Sequence, residues 1–379
     1  MIHSKLPHVK PSIFSIMSKM AAEYDAINLS QGFPNFKSDP KLVEGVSKAM
    51  HDGYNQYAPM AGNVKLREAI ADKFENLYGK KYDPDTEITV TAGATQAIFT
   101  ALAATINVGD EVIIFTPAYD CYEPAITLFG GKTISVQLAA PNFAPDWDEV
   151  TSKISQKTKM IIINSPHNPS GMLFSENDML TLQEIANAHE LLVLSDEVYE
   201  HIIFDNEVHQ SAAKFEDLSK RSMITASFGK TFHNTGWKMG YCVAPEWLMI
   251  EFQKVHQYNV FSVNHPMQIA LADYLSVSSN YLGLSSFYQA KRDLFIDLLT
   301  ESRFKIIPSK GTYFQLLDFS EISPEGDIAF AERLTKELGV ATIPTSVFNN
   351  NREDVKQIRV CFAKTEETLR AACKILASV

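Results

Sequence analysis

The sequence has little cysteine and no excess of positive charge. Its 379 residues include only four cysteines, and no two of them form a Cys-x-x-Cys pair. We therefore expect free, mostly buried thiols rather than a disulfide framework. The formal net charge is −11. Because nucleic acids and anionic membranes bind basic surfaces, neither is expected as a partner.

Long apolar runs and several signature motifs are also missing. No stretch approaches the roughly 20 apolar residues of a membrane span, and the opening MIHSKLPHVKPSIF lacks the apolar core of a secretory signal. A cytoplasmic location is the resulting expectation. The ten histidines form no His-Glu-x-x-His motif, and Gly-x-Ser-x-Gly is absent. Metal-dependent hydrolysis and a Ser-His-Asp triad therefore find no support, and no metal site is expected.

Short β-branched runs alternate with helical patterns from residue 87 onward. The predicted strands are 87–91, 111–115, 160–163, 191–195 and 223–227, and the predicted helices between them are 95–106, 122–129 and 175–189. This alternation is typical of an α/β fold with a mainly parallel sheet covered by helices. A helix at 281–302 is expected to lead into a smaller α/β domain, with strand-like or helical segments at 304–307, 313–317, 327–338, 358–362 and 365–377.

Polar residues follow two of the predicted strands. Lys230 stands among small residues just after the strand 223–227, and Asp196 follows the strand 191–195. Burial near other cations lowers the pKa of a lysine and frees its amine to attack a carbonyl. A lysine that forms a Schiff base and an acid opposite a pyridine nitrogen are what pyridoxal phosphate requires. Ligands of such sheets bind at the carboxyl ends of the strands.

Four motifs carry a resemblance to a known family. They are NSPHNPSG, SDEVYEH, SFGKTFHNTGWKMGY and IRVCFAK, and they lie in the family's order over nearly the whole chain. The sequence resembles the class I/II aminotransferases of the fold-type I pyridoxal-phosphate enzymes, most of all the branch with methionine aminotransferase and kynurenine/glutamine transaminases. This resemblance implies a homodimer. In each chain, residues 1–37 are expected to form an N-terminal arm and part of the small domain, 38–280 a large cofactor-binding domain, and 281–379 the small C-terminal domain.

The resemblance also implies a role for each site residue. Lys230, Asp196 and Tyr199 would be catalytic, with Lys230 as general base and acid. Gly32, Phe14 and Arg359 would contact the substrate, and Asn168 would contact both substrate and cofactor. The remaining cofactor contacts would be the N–H groups of Ala94 and Thr95, the ring of Tyr119, Ser227, Lys238, and Tyr57 lent by the partner subunit. Lys238 stands where aspartate-specific relatives have arginine.

The family likeness leaves two functional alternatives. The expected activity is transfer of an amino group from methionine or aromatic amino acids, with kynurenine and glutamine as further donors, to a 2-oxo acid in a ping-pong sequence. A pyridoxal-phosphate C–S β-lyase would share the same residues. A transcription regulator of this fold is disfavoured, because the chain is acidic and the motifs begin by Gly32.

The expected substrate pocket lacks cations. The family places the side-chain pocket at residues 11–14 and 258–262, and neither segment contains arginine or lysine. An unpaired carboxylate in a closed pocket is costly. Aspartate is therefore expected to be a poor donor, and a thioether or an aromatic ring a good one.

Overall fold

The computed structural model describes residues 3–379 as an α/β protein with twelve strands and fifteen α-helices in that part of the chain. The strands are β1 (Ile27–Asn28), β2 (Ile88–Thr91), β3 (Glu111–Thr116), β4 (Lys132–Gln137), β5 (Thr158–Asn164), β6 (Leu192–Asp196), β7 (Ser222–Ser227), β8 (Gly240–Val243), β9 (Phe314–Asp318), β10 (Val340–Ala341), β11 (Ile343–Pro344) and β12 (Gln357–Cys361). The helices are α1 (Ile13–Glu23), α2 (Pro40–His51), α3 (Val64–Tyr78), α4 (Ala94–Thr105), α5 (Tyr122–Leu128), α6 (Trp147–Ser152), α7 (Glu176–Ala188), α8 (Glu216–Ser219), α9 (Phe228–Thr231), α10 (Glu246–Asn259), α11 (His265–Leu275), α12 (Ser279–Leu282), α13 (Leu284–Asp297), α14 (Asp327–Arg333) and α15 (Glu366–Leu376).

Seven strands form the large sheet, in the order β2-β8-β7-β6-β5-β3-β4. The pairs from β7 to β4 are all parallel, and β8 runs antiparallel to both β7 and β2. Alternate residues of the central strands enter two different cores: Ile161, Val193 and Ile224 belong to one, and Met160, Leu192 and Met223 to the other. The sheet is therefore buried on both faces, which confirms the predicted fold class.

Two smaller sheets lie in the rest of the chain. The antiparallel sheet has the order β11-β12-β9, and β1 pairs in parallel with β10. Through the second pairing, the N-terminal segment joins the C-terminal part of the chain. The domain limits at residues 38 and 281 stay predictions.

The structure corrects several expected elements. The helix predicted at 281–302 is two helices, α12 and α13, which are separated at Gly283. The edge strand β4 and the antiparallel strand β8 were not predicted. Residues 304–307 form no strand, and only Lys305 makes a bridge, to Asp318. After α14, a π-helical turn, Leu334–Leu338, completes the segment predicted at 327–338.

The described residues include all four cysteines of the chain. Within them, all four cysteines are free thiols, and three of these are buried. No cluster of histidine, cysteine and carboxylate side chains suited to a metal ion is found in residues 3–379. No helix in that range has both the length and the apolar character needed to cross a bilayer.

Candidate active site

Lys230 lies on α9, directly beyond the carboxyl end of β7. Its Nζ donates hydrogen bonds to the carbonyl of Gly32, at 3.0 Å, and to the hydroxyl of Tyr313, at 2.8 Å. Burial lowers the pKa of Lys230 to about 8, and the nearby charges of Arg359 and Lys238 act in the same direction. The neutral amine is therefore far more populated near physiological pH than that of an exposed lysine, as a nucleophile or a general base requires.

Asp196 ends β6, next to the last residue of β5. The Tyr122 hydroxyl donates a hydrogen bond of 2.6 Å to its Oδ2. Burial raises the pKa of Asp196 to about 6, while the bond from Tyr122 acts in the opposite direction. Asn164 of β5 donates to the Asp196 carbonyl at 2.9 Å. A buried acid fixed in this way can pair with a cationic ring nitrogen.

Arg359 lies on β12 and is almost completely buried. Its Nη1 donates to Asn168 Oδ1 at 2.7 Å, and its Nη2 donates to the Ser30 carbonyl at 3.0 Å. The guanidinium carbon lies 3.8 Å from the ring centre of Phe314 and 5.1 Å from that of Phe14. Burial lowers the pKa of Arg359 to about 10. Within the described residues its Nε has no hydrogen-bond partner, so the group has capacity to bind a carboxylate.

The start of α4 and the segment after α9 form an anion-binding cradle. Gly93, with φ of +82°, precedes the free N–H groups of Ala94 and Thr95 at the first turn of α4. A Cβ atom added at Gly93 would lie 3.5 Å from the ammonium of Lys238. A Cβ atom at Gly240 would lie 2.9 Å from the Ala94 nitrogen. Strand β8 can therefore come this close to α4 only because residue 240 is a glycine. Ser227 and Thr235 line the same cavity as these groups.

Two tyrosines and one glycine complete the walls of the site. Tyr199 is buried, and its ring meets that of Tyr313 edge to face, with 5.1 Å between the ring centres. Tyr119 is half-buried, and its ring lies 5.9 Å from that of Tyr122. Gly32 approaches β9 so closely that a Cβ atom there would come within 2.6 Å of the Phe314 ring.

These side chains surround one cavity of about 240 Å³. Its lining contains twelve of the thirteen residues proposed from the sequence: Phe14, Gly32, Ala94, Thr95, Tyr119, Asn168, Asp196, Tyr199, Ser227, Lys230, Lys238 and Arg359. Tyr57 is the exception. It is 80% exposed and packs against the ring of Phe261, away from the cavity of its own chain.

Four polar or aromatic residues of the site were not predicted from the sequence. Tyr122 binds Asp196, Tyr313 binds Lys230, Asn164 binds the backbone around Asp196, and Phe314 lies against Arg359. Asn164 begins the NSPHNPSG motif, which was a usable signal. The three aromatic residues belong to none of the four motifs, and from the sequence they are indistinguishable from core residues.

Comparison with known proteins decides the family. The family model "Aminotransferase class I and II" matches residues 24–376. The chain belongs to this family.

Relatives of this aminotransferase span almost its full length. It is 49% identical over 374 residues to methionine aminotransferase of Escherichia coli, covering 98% of this chain and 97% of that protein. It is 32% identical over 402 residues to the kynurenine–oxoglutarate transaminase of Dictyostelium discoideum, covering 96% and 92%. A crystal structure from Escherichia coli, described as identifying a methionine aminotransferase function, superimposes with a TM-score of 0.98 at 48% identity and covers 100% of both chains.

The site of this aminotransferase has the donors and acceptors that pyridoxal phosphate needs. The cradle around Gly93 and Lys238 suits a phosphate, and Asp196 suits a pyridine nitrogen. Lys230 provides an amine of lowered pKa for the carbonyl, and Tyr119 provides an aromatic face. Arg359 keeps capacity to bind a substrate carboxylate, because its Nε has no hydrogen-bond partner within the described residues. The residues present therefore fit the cofactor.

Proposed function

We propose that this aminotransferase uses pyridoxal phosphate to transfer the amino group of methionine or an aromatic amino acid to a 2-oxo acid. Kynurenine and glutamine are further proposed donors. The single observation that carries the proposal is the cavity in which Lys230, Asp196 and Arg359 converge. The similarity to a methionine aminotransferase and to a kynurenine transaminase supports the donor class. A cytoplasmic location stays a prediction.

Each group of residues holds a different part of the reactants. Gly93, Ala94, Thr95, Ser227 and Lys238 would hold the phosphate, Asp196 the ring nitrogen, and Tyr199 and Asn168 the phenolic oxygen. Arg359 would bind the substrate α-carboxylate, and Asn168 orients it through the 2.7 Å bond to Nη1. Bound pyridoxal phosphate would supply a carbonyl that takes up amines and a ring that withdraws electrons from the substrate Cα.

Lys230 has two roles in this proposal. Its neutral amine would hold the cofactor, and the free amine would remove the proton from the substrate Cα as a general base. The aromatic rings of Phe14 and Phe314 beside Arg359 limit the access of water to the bound carboxylate. Phe14 lines the cavity, whereas Tyr258, from the second predicted pocket segment, is 86% exposed.

The charges of the cavity favour an uncharged substrate side chain. Among the described residues, three cations line the cavity: Lys230, Lys238 and Arg359. Each has a role toward the cofactor or the α-carboxylate, so a second carboxylate on the substrate would be unpaired. A sulfur atom near an aromatic ring, in contrast, gains about 0.3–1.5 kcal/mol.

We expect kcat/KM with one common 2-oxo acid to be highest for methionine and phenylalanine, intermediate for glutamine and lowest for aspartate. Pocket differences of roughly 1–3 kcal/mol separate neutral donors by only about 10–200-fold, so the preference is expected to be broad. The measurement is a steady-state panel with product identification. Aspartate as the best donor would contradict the assignment of the pocket.

The same panel addresses the C–S β-lyase. The relatives reported above are aminotransferases, and these comparisons give the lyase no support. A cysteine conjugate incubated without a 2-oxo acid is expected to yield little pyruvate and ammonia. Rapid release of both products would make elimination the principal activity.

A further inference from the structure

Tyr313 forms a closed set of hydrogen bonds with the amine of Lys230 and the carbonyl of Gly32. Lys230 Nζ donates to Tyr313 Oη at 2.8 Å and to Gly32 O at 3.0 Å. Tyr313 Oη in turn donates to Gly32 O at 2.6 Å. A carbonyl oxygen has two lone pairs, so Gly32 can accept both bonds.

The fold leaves the Tyr313 hydroxyl little freedom to move. The ring is fully buried between Tyr199, at 5.1 Å, and Tyr288, at 5.9 Å between ring centres. Thr312, which precedes it, has a φ of +66°, and the Tyr313 carbonyl accepts a bond of 3.0 Å from the Phe362 N–H. On the other side, the close approach of Gly32 to Phe314 fixes the accepting carbonyl.

The hydrogen bonds of the Lys230 amine indicate what its contacts with Tyr313 and Gly32 do. A neutral amine has two N–H groups and one lone pair, and Tyr313 and Gly32 accept both N–H groups. The lone pair is then the one site on the nitrogen that remains available to the contents of the cavity. A lysine side chain otherwise has several rotatable bonds and loses entropy when it is held in one position.

We propose that Tyr313 is a positioning residue, which together with the Gly32 carbonyl holds the displaced amine of Lys230 with its lone pair directed to the substrate. The proposal rests on the proposed function of Lys230 as a general base. It adds a residue of the same chain to the machinery that controls the orientation of that base. Preorganisation of this kind acts on the proton-transfer step rather than on substrate binding.

The test is Tyr313→Phe, with Tyr288→Phe as its matched control. Both replacements remove one buried hydroxyl and keep the ring. The Tyr288 hydroxyl bonds to His233 Nδ1, at 2.8 Å, and not to Lys230. For Tyr313→Phe we expect kcat with methionine to fall about tenfold, the rate equivalent of one hydrogen bond, with little change in KM. The primary isotope effect with α-deuterated methionine should rise, and Tyr288→Phe should leave both quantities unchanged.

A second readout does not depend on turnover. Competitive labelling of the cofactor-free protein with acetic anhydride across pH measures the pKa of Lys230. The titratable groups around Lys230 are Asp196, Tyr199, Lys238, Tyr313, Arg359 and Cys361. Of these groups, Tyr313→Phe removes only the hydroxyl of Tyr313. Because the Tyr313 oxygen stabilises the ammonium more than the amine, Tyr313→Phe should lower the pKa of Lys230 below the wild-type value.

Equal kcat, isotope effect and Lys230 pKa in the two variants would overturn the proposal. If Tyr313→Phe did not fold, a crystal structure of the wild-type protein with bound methionine would decide. Lys230 Nζ within hydrogen-bond distance of Tyr313 Oη would support the proposal. Separation of these two atoms would overturn it. Failure of the proposed function would be seen separately, as full activity of Lys230→Ala.

Discussion

At the scale of single residues, the site depends on how burial changes the acidity of Lys230 and Asp196. An exposed lysine has a pKa of about 10.4, whereas burial lowers that of Lys230 to about 8. Burial acts on Asp196 in the opposite direction and raises its pKa to about 6. Both shifts have the same cause, since a buried site disfavours the charged form of either group.

The lowered pKa of Lys230 predicts how the rate of pyridoxal-phosphate uptake by the cofactor-free protein depends on pH. Only the neutral amine attacks a carbonyl, so the rate of covalent attachment should rise with pH and level off above about 8. Stopped-flow absorbance measures this rate, with free N-acetyl-lysine amide as the reference amine. A rate that keeps rising to pH 10, as for the reference, would show that Lys230 has an ordinary pKa.

The sequence was sufficient for the residues with distinctive chemistry but not for their supports. Lys230, Asp196 and Arg359 are polar residues at strand ends or in strands, and their positions could be predicted from the motifs that contain them. Tyr122 and Tyr313 could not, because both lie outside the four motifs and the residues next to them give no local mark of function. Their partners are 74 and 83 residues away in the chain, so only the folded structure reveals the contacts.

At the scale of elements, the segment after β6 is fixed by buried polar contacts. Glu197 accepts hydrogen bonds from Ser195 Oγ at 2.7 Å and from the Ala212 N–H at 2.9 Å. Glu200 forms a buried ion pair with Lys73 of α3 and accepts a 2.6 Å bond from the Tyr78 hydroxyl. The segment that carries Asp196 and Tyr199 is thereby attached to α3, outside the cavity.

Replacement of Lys73 by methionine should destabilise the protein. Removal of one partner leaves Glu200 buried without its cation, which costs about 3–5 kcal/mol of unfolding free energy. Urea unfolding of wild type and Lys73→Met measures the loss. Lys48→Met removes the lysine of an exposed pair with Asp52 and should change little.

The stabilisation by the ion pair between Lys73 and Glu200 should decrease as the pH falls. Burial alone would raise the pKa of Glu200, but Lys73 and its other partners lower it to about 2. A carboxylate with a lowered pKa stabilises the fold above its unfolded pKa of about 4.3, and this contribution is lost as the pH falls toward 2. The difference between Lys73→Met and wild type should therefore shrink in acid. A difference that is constant from neutral pH to pH 3 would contradict the role of the ion pair.

Elements were predictable from sequence where their burial pattern is simple. The buried strands β5, β6 and β7 each have a short apolar segment at their centre, and they were predicted to within two residues at each end. Edge strand β4 has only Val136 buried, so its pattern is weak. Strand β8 begins at Gly240 within a motif dominated by small and polar residues. Gly283 separates α12 from α13 because glycine has a low helix propensity.

At the scale of the whole molecule, the homodimer with shared sites stays a prediction, in which the exposed Tyr57 would take part. Tyr57 is 80% exposed, Tyr258 is 86% exposed, and Phe261 packs against Tyr57. In a two-fold dimer the same surface of each chain faces the other, so each could lend Tyr57 to the phosphate site of its partner. Exposed aromatic residues of this kind are enriched at protein interfaces.

Mixing two inactive variants tests the shared site. Lys230→Ala chains retain Tyr57, and Tyr57→Ala chains retain Lys230. A hybrid dimer is therefore expected to contain one intact site and to recover up to half of the activity of one wild-type dimer. Each variant subjected alone to the same subunit-exchange conditions is the control. Hybrids that are demonstrated by mass spectrometry but have no recovered activity would exclude the sharing of Tyr57.

The arrangement of the whole chain was only partly accessible from sequence. Alternation of strands and helices predicted the sheet and the edge at which the site lies. It could not predict that Gly32, Lys230 and Tyr313 meet, because these three come from the N-terminal arm, α9 and the segment before β9. Contacts of 198 and 281 residues in sequence separation depend on the packing of the two parts of the chain.

The proposed function requires the amine of Lys230, and the variant Lys230→Ala removes that amine. Purified Lys230→Ala should still bind pyridoxal phosphate through the cradle around Gly93 and Lys238. It should lack the absorbance of the lysine-linked cofactor, and its turnover of methionine with a 2-oxo acid should fall by several orders of magnitude. Wild-type turnover by Lys230→Ala would contradict the account.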